Sequence, residues 1–275
     1  MPGPRARVLP LIVVLLAGAT ALQAQQARTT QAFNQYITEA ESRIKHEQNS
    51  PFLRFDSLLP AQRAAFVTRL KHGETIIQKQ GTTPKPVPDG LIHDWIGTVF
   101  IPNTTVAQLV AFVKDYNHTA EHYSPDVIQS RLVSHNGNDF HVFMRLRQHK
   151  LVTVVLDTEY DVHYGMIDAA HQYSTSRSTR VSEIADPGTT NEHALPSGKD
   201  HGFMWRLNSY WAFEQAPDGV FVQCEAISLT RDIPSGLGWL IGPFVNSIPQ
   251  ESLQFTLNAT RNAMPQRSAV AHKQE

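Results

Sequence analysis

The chain has one cysteine, Cys224, in 275 residues. No intramolecular disulfide can form, so the core alone must hold the fold. A lone cysteine on a strand-like run reads as a small buried apolar residue. The common catalytic signatures are also missing. There is no G-x-S-x-G nucleophile elbow and no G-x-x-x-x-G-K-[ST] phosphate loop. Charge is sparse and nearly balanced: 18% of residues are charged, 24 basic against 25 acidic. That lacks the basic footprint of a nucleic-acid binder. Long apolar runs are absent except near the N-terminus, where "VLPLIVVLLAGATAL" follows Arg5 and Arg7 and precedes "QAQQ". The run is short for a membrane span and ends in small residues, the pattern of a secretory signal. We expect residues 1–24 to be removed after Ala24, with Ala21 as the competing site and an uncleaved anchor as the alternative. Cleavage removes two basic residues and no acidic ones, moving the net charge from −1 to −3. The expected location is the periplasm or the exterior. Sequons at Asn103, Asn117 and Asn258 matter only in a host that glycosylates.

What remains is rich in periodic pattern. Residues 28–50 carry Phe33, Tyr36, Ile37, Ala40 and Ile44 at helical spacing. A second helix fits 59–80, with the stripe Leu59, Phe66, Val67, Leu70 and Ile77, Pro60 in its first turn and Gly81 as its cap. Together 25–81 form a helical extension. Its stripes need a cover, either the main domain or a protein partner or membrane surface. "TTPKPVPDG", residues 82–90, reads as a semi-rigid linker.

Residues 91–265 form the main domain. "LIHDWIGTVFIP" is a strand, and Asn103, Thr104 and Thr105 offer a cap for a helix with Val106, Leu109, Val110 and Val113. A short helix over 117–123 follows. Six strands come next, at 127–134, 140–147, 151–164, 171–184, 202–214 and 219–230. The first two flank the hairpin signal Asn136-Gly137. Along 151–164, Val152, Val154, Leu156, Thr158, Tyr160, Val162 and Tyr164 share a face opposite Asp157, Glu159, Asp161 and His163. That alternation fits a sheet with one face on a core. A helix from about Pro249 to Met264 carries Leu253, Leu257 and Met264, with Phe255 beside them; 266–275 reads as a polar tail. Consecutive strands joined by short turns imply an antiparallel sheet, and the last helix is its available cover. The gap beneath is a natural ligand site.

This order, with "GLIHDWIGTVFIP", "HVFMRLR", "GFMWRLNSYW", "CEAISLTRDIP" and "GLGWLIGPFVNSIPQESLQFTLNATRNA", resembles the helix-grip fold of the START-like or SRPBCC superfamily, over about residues 89–265, in an exported and poorly characterised bacterial branch. The resemblance implies an α+β domain, a seven-stranded curved antiparallel sheet around a long C-terminal helix, with an apolar cavity between them. It implies no shared catalytic motif, so no catalytic residue and no cofactor are assigned.

Within that frame the candidate ligand-binding residues are Tyr160, Tyr164, Trp205, Ser209, Trp211, Trp239, Phe244 and Phe255. They come from the aromatic face of 202–214, the long strand, and the segment that closes the domain. Arg206 and Glu225 could orient a head group or move a proton if they face the cavity. Two other motifs invite a sharper chemistry. "HTAEH", His118 to His122, matches H-x-x-E-H, but Pro125 leaves little helix to hold the pair, so no metal is assigned. "GLGWLIG", 236–242, sits where a dinucleotide loop would. Its spacing is one residue too long, Pro243 falls where a helix should open, and no second strand follows. It reads instead as a hinge, with Trp239, Leu240, Ile241 and Phe244 capping one end of the cavity or touching a membrane during ligand exchange. The expected partner is a hydrophobic small molecule or lipid, bound without catalysis. The alternative is a cyclase- or hydrolase-type enzyme using polar groups of the same cavity, and a third reading is an envelope interaction module.

Overall fold

The structure, a computed structural model, describes residues 9–48, 51–149, 153–196, 198–232 and 238–271, with side chains described from 27 in the first helix and over 247–264 in the last. The N-terminal segments are α1 (Leu9–Glu47), a turn of 3-10 helix at Arg54–Ser57, α2 (Pro60–Lys71), β1 (Ile76–Lys79) and β2 (Lys85–Val87). Then come β3 (Gly90–Pro102), α3 (Val106–Val113), α4 (Thr119–His122), β4 (Val127–Asn136), β5 (Asp139–His149), β6 (Thr153–Met166), β7 (His171–Ala185), β8 (His193–Ala194), β9 (Arg206–Ala216), β10 (Gly219–Arg231) and α5 (Gly238–Ala271). The strands form one antiparallel sheet in the order β1-β3-β10-β9-β7-β6-β5-β4, with β2 beside β3 and β8 beside β7. Seven are the long strands expected from the sequence; β1, β2 and β8 are short additions. Bulges in the β4–β5 and β6–β7 ladders add local bend and twist to the sheet.

Local chemistry explains several boundaries. Thr105 and Gln108 make a reciprocal capping box at the start of α3, with the Gln108 amide donating to Thr105 Oγ1 at 3.2 Å. Gly137 takes φ 57° in the β4–β5 turn. Gly97 marks where α5 comes down on β3: a Cβ there would collide with the Leu257 and Ile77 side chains. Glycine at this point is therefore a packing requirement.

Three elements differ from their sequence reading. The helix expected over 59–80 ends at Lys71, Gly73 adopts φ 90°, and Ile76–Lys79 becomes a strand. The β-branched run Thr75-Ile76-Ile77 favours that outcome. Ile77 consequently packs in the sheet–α5 core, and Leu59 is exposed. The 82–90 linker contributes β2, and Thr83 Oγ1 accepts from the Asp94 amide at 2.8 Å, filling the gap between β1 and β2. The last helix spans Gly238–Ala271, longer than the expected 249–264 at both ends. Gly238 and Gly242 thus lie within helix and not in a hinge. Pro249 was read as the first turn of this helix and Pro265 as the start of the tail, yet Pro243, Pro249 and Pro265 all lie inside α5, each giving up its own N–H bond to the ladder.

The centre of the sheet is covered on both faces. β3 and β10 are buried along almost their whole length. On the inner face, Trp95, Val99, Val222 and Cys224 pack with Leu253, Leu257 and Met264 of α5 and with α3. On the outer face, Phe33, Ile37 and Ala40 of α1 meet Ile92, Tyr210, Ile227 and Leu229. Leu53, Phe55, Phe66 and Leu70 meet Phe100, Ala212 and Phe221. Each such large side chain is worth about 1.5–3 kcal/mol when buried. The stripes of α1 and α2 therefore face the sheet.

Polar contacts fix the register of α1 on this outer face. Arg43 makes two bonds to Glu225, at 2.5 and 3.1 Å, and Glu225 is 2% exposed. The Tyr36 hydroxyl donates to Asp94 at 2.7 Å. Glu41 accepts from Tyr210 at 2.8 Å and from Arg177 at 2.7 Å. Burial, and then the Glu225 carboxylate, push the Asp94 carboxyl well above the ordinary carboxylate range.

Replacing Arg43 with Ala leaves Glu225 buried without its partner and should cost about 2–4 kcal/mol in urea unfolding; adding Glu225→Gln should recover most of the loss. A second expectation concerns pH. Because the folded state raises the Asp94 pKa, the folded state holds its proton more tightly than the unfolded state. The stability this contributes is full at acid pH and is lost as pH rises through the raised value. Asp94→Asn should therefore gain on the wild type steadily from about pH 4 to about pH 8 and level off above that, measured as urea midpoints.

Candidate functional site

Under the inner face lies a cavity of about 180 Å³. Its floor is β5, β6, β7 and β9, its roof is Thr256 of α5, and one end is closed by the α3–α4 segment. The apolar wall includes Phe112, Val113, Val142, Met144, Val162 and Leu207. The remainder is mostly hydroxyl-bearing: Tyr116, Tyr123, Tyr160, Tyr164, Ser174, Ser176 and Ser209, with Trp211 between strands. A larger hollow of about 420 Å³ between α2, the end of β3 and α5 is an open groove. Its two cations are engaged, Lys71 with Asp218 at 2.7 Å and Arg261 with the Gly73 carbonyl at 2.6 Å.

The tyrosines are organised by one another. The Tyr116 and Tyr164 hydroxyls lie 2.6 Å apart, and Tyr164 reaches the Val113 carbonyl at 3.3 Å. Phe140 stands edge-on to Tyr164 at 5.4 Å, and Lys114 lies over the Tyr164 ring at 4.6 Å. Partial burial lowers the Lys114 pKa. Tyr123 pairs with Thr260 at 2.8 Å. Burial pushes the phenols of Tyr123 and Tyr160 up to about 12, and those of Tyr116 and Tyr164 are raised as well. These phenols therefore stay protonated. They can donate hydrogen bonds but cannot serve as bases near neutral pH.

Ionisable side chains near the cavity belong to its α3–α4 end. Asp115 pairs with His118 at 2.7 Å, and the His122 ring packs 5.0 Å from Phe112. The H-x-x-E-H motif thus sits on a helix of four residues with its two histidines turned to different neighbours. Among the described residues no three metal-ligating side chains gather. The acidic side chains of β6 face outward into ion pairs, Asp157 with Arg145 at 2.6 Å and Glu159 with Arg180 at 2.6 Å. Burial raises the Cys224 pKa, so the thiol stays protonated.

Of the residues singled out from the sequence, Tyr160, Tyr164, Ser209 and Trp211 stand on the cavity wall. Trp205 does not. It precedes β9, so the strand's alternation does not reach it, and it packs toward the α1 side of the sheet with its indole donating to Asp200 at 2.7 Å. Phe255 is also off the wall: two residues from Leu253 and Leu257, it is rotated about 200° away on the helix. The side chains of Trp239 and Phe244 lie outside the described residues. Glu225 is on the outer face, held by Arg43, and Arg206 donates to the Trp205 carbonyl at 2.8 Å, so neither is a cavity group. Sequence reasoning missed Phe112, Tyr116 and Tyr123, and the serines of β7. Phe112 lies in α3 but outside its apolar stripe, and Tyr116 and Tyr123 lie beyond the end of that helix. The alternation in "QYSTSRST" places Ser174 and Ser176 on one face, but carries no hydrophobic signal.

No family model and no curated protein matches the chain. Solved structures with a similar fold include a STAR-related lipid transfer protein fragment from Xanthomonas axonopodis, 19% identical, covering 70% of this chain and 98% of its own, with a TM-score of 0.42. The Zhui aromatase/cyclase from Streptomyces sp. R1128 is 11% identical over 64% of this chain and 96% of its own, at 0.44. Human STARD10 is 9% identical over 78% and 85%, at 0.44. At such identities and scores they say nothing about ligand or activity.

The tyrosine pair is open to a direct measurement. Tyr116→Phe and Tyr164→Phe should each cost about 1 kcal/mol. Since one shared bond is lost in either case, the double variant should cost less than the sum, read as a coupling in a double-mutant cycle of urea unfolding.

Proposed function

We propose that this chain is exported and binds a hydrophobic small molecule or lipid in the cavity between the sheet and α5, without catalysing a reaction. The observation that carries the reading is the wall itself. It combines apolar side chains with protonated hydroxyls, and Glu225 and Arg206, the charged groups the sequence offered for a reaction, are engaged elsewhere. Such a wall recognises shape and one or two polar atoms; its ionisable side chains, Asp115 and His122, stand at the α3–α4 end, where Asp115 pairs with His118 and the His122 ring packs on Phe112. The cyclase- or hydrolase-type alternative is correspondingly weaker. A protein partner for the N-terminal helices is weaker too, because their apolar stripes face the sheet. The basic n-region and apolar run before Ala24 support export. The apolar residues Trp239, Leu240, Ile241 and Phe244 support a transient membrane contact during ligand exchange.

Native mass spectrometry of protein expressed from the full-length gene tests both parts. The expected species is a chain beginning at Gln25 with a bound adduct that partitions into an organic extract. Protein with no adduct would count against the binder, and a chain retaining residues 1–24 would count against the cleaved signal.

A further inference from the structure

Resting on the reading of the cavity as a ligand site, we infer that its ligand is a compact, uncharged molecule of one or two rings bearing a single hydroxyl or carbonyl, which the serines of β7 and β9 receive. Size sets the first limit. A cavity of about 150 Å³ holds one benzene, and pockets for drug-sized ligands begin at about 300 Å³. At about 180 Å³ this one suits a ring system and is far too small for a diacyl lipid.

The polar groups set the second limit. In the β7–β9 ladder Ser176 is directly opposite Ser209, and Ser174 opposite Trp211. On the other side of β7, Ser174 is opposite Tyr164 and Ser176 opposite Val162. Directly opposed side chains have Cβ atoms about 4.5–5.5 Å apart, so the two hydroxyls of Ser176 and Ser209 can converge on one oxygen. Three of the wall's phenols are already partnered: Tyr116 with Tyr164, and Tyr123 with Thr260. The hydroxyls of Ser174, Ser176 and Ser209 have no partner among the described residues, although Ser174 is 4% exposed. These hydroxyls open onto the cavity, where a ligand oxygen can take them.

Charge sets the third limit. Among the described residues no arginine or lysine stands on the cavity wall, and its imidazole, His122, packs against Phe112 at the α3–α4 end. A carboxylate or phosphate there would be buried without compensation. A neutral hydroxyl or ketone needs only the serines. Trp211 and Tyr160 beside them offer flat apolar surface for a ring.

Isothermal titration of the mature chain with 2-naphthol, naphthalene, 2-naphthoate and oleate tests this. We expect 2-naphthol to bind at least about tenfold more tightly than either naphthalene or 2-naphthoate. The double variant Ser176→Ala, Ser209→Ala should lose about tenfold toward 2-naphthol and nothing toward naphthalene. It should unfold at the same temperature as the wild type or higher, since it removes unpartnered hydroxyls. Equal binding of naphthalene and 2-naphthol, an unaffected double variant, or a destabilised one would overturn the serine site. Binding of oleate but not of 2-naphthol would overturn the size and charge limits while leaving the binder intact. Binding of none of the four probes, with no adduct in the native protein, would overturn both.

Discussion

Two-sided burial of the β3–β10 pair is the constraint on which the rest of this molecule depends. Antiparallel sheets often leave one face to water. Here α5 takes the inner face and α1, the Leu53–Phe55 segment and α2 take the outer one. A strand buried on both sides makes an unpartnered charged side chain costly. Glu225 and Asp94 are the places where this cost is most severe, and Arg43 and Tyr36 answer it from α1. The outer helix is therefore part of what makes the centre of the sheet tolerable, and the sheet in turn holds the cavity floor in register.

The cavity inherits its character from that division. Charged residues of the central strands point outward, toward α1. The inner face keeps aromatic rings, aliphatic chains and hydroxyls. An ionised group on the inner face would have to leave water without a counter-charge, which costs far more than a hydroxyl does. Hydroxyls can pair with each other, as Tyr116 and Tyr164 do, or open onto the cavity, as Ser176 and Ser209 do.

Much of this was legible in the sequence. The alternation of β6, the Asn136-Gly137 turn, the capping residues of α3 and the stripe of α1 all follow from local rules that the fold obeys. Ser209 and Tyr210 lie on opposite faces because β9 is regular from Arg206 onward. The failures have a common cause, the reading of single residues as punctuation. Pro249 does not begin α5, and Pro265 does not end it. The β-branched run after Gly73 makes a strand that pairs with residues about 20 positions away, where no helical period can announce it. Trp205 shared the spacing of the β9 inner face, yet the strand starts one residue later. The placement of Glu225 could not be read locally at all, since its partner is on α1.

That partnership has a temporal side. Arg43 and Glu225 are 182 residues apart in the chain. At ordinary synthesis rates of about 5–20 residues per second, α1 waits about 10–40 s for the strand that will hold it. Through that interval the amphipathic stripe of the first helix has no sheet to cover it, and the central strand pair does not exist. A chain of this design stays open, and available to whatever handles unfolded polypeptides, until nearly all of it has been made.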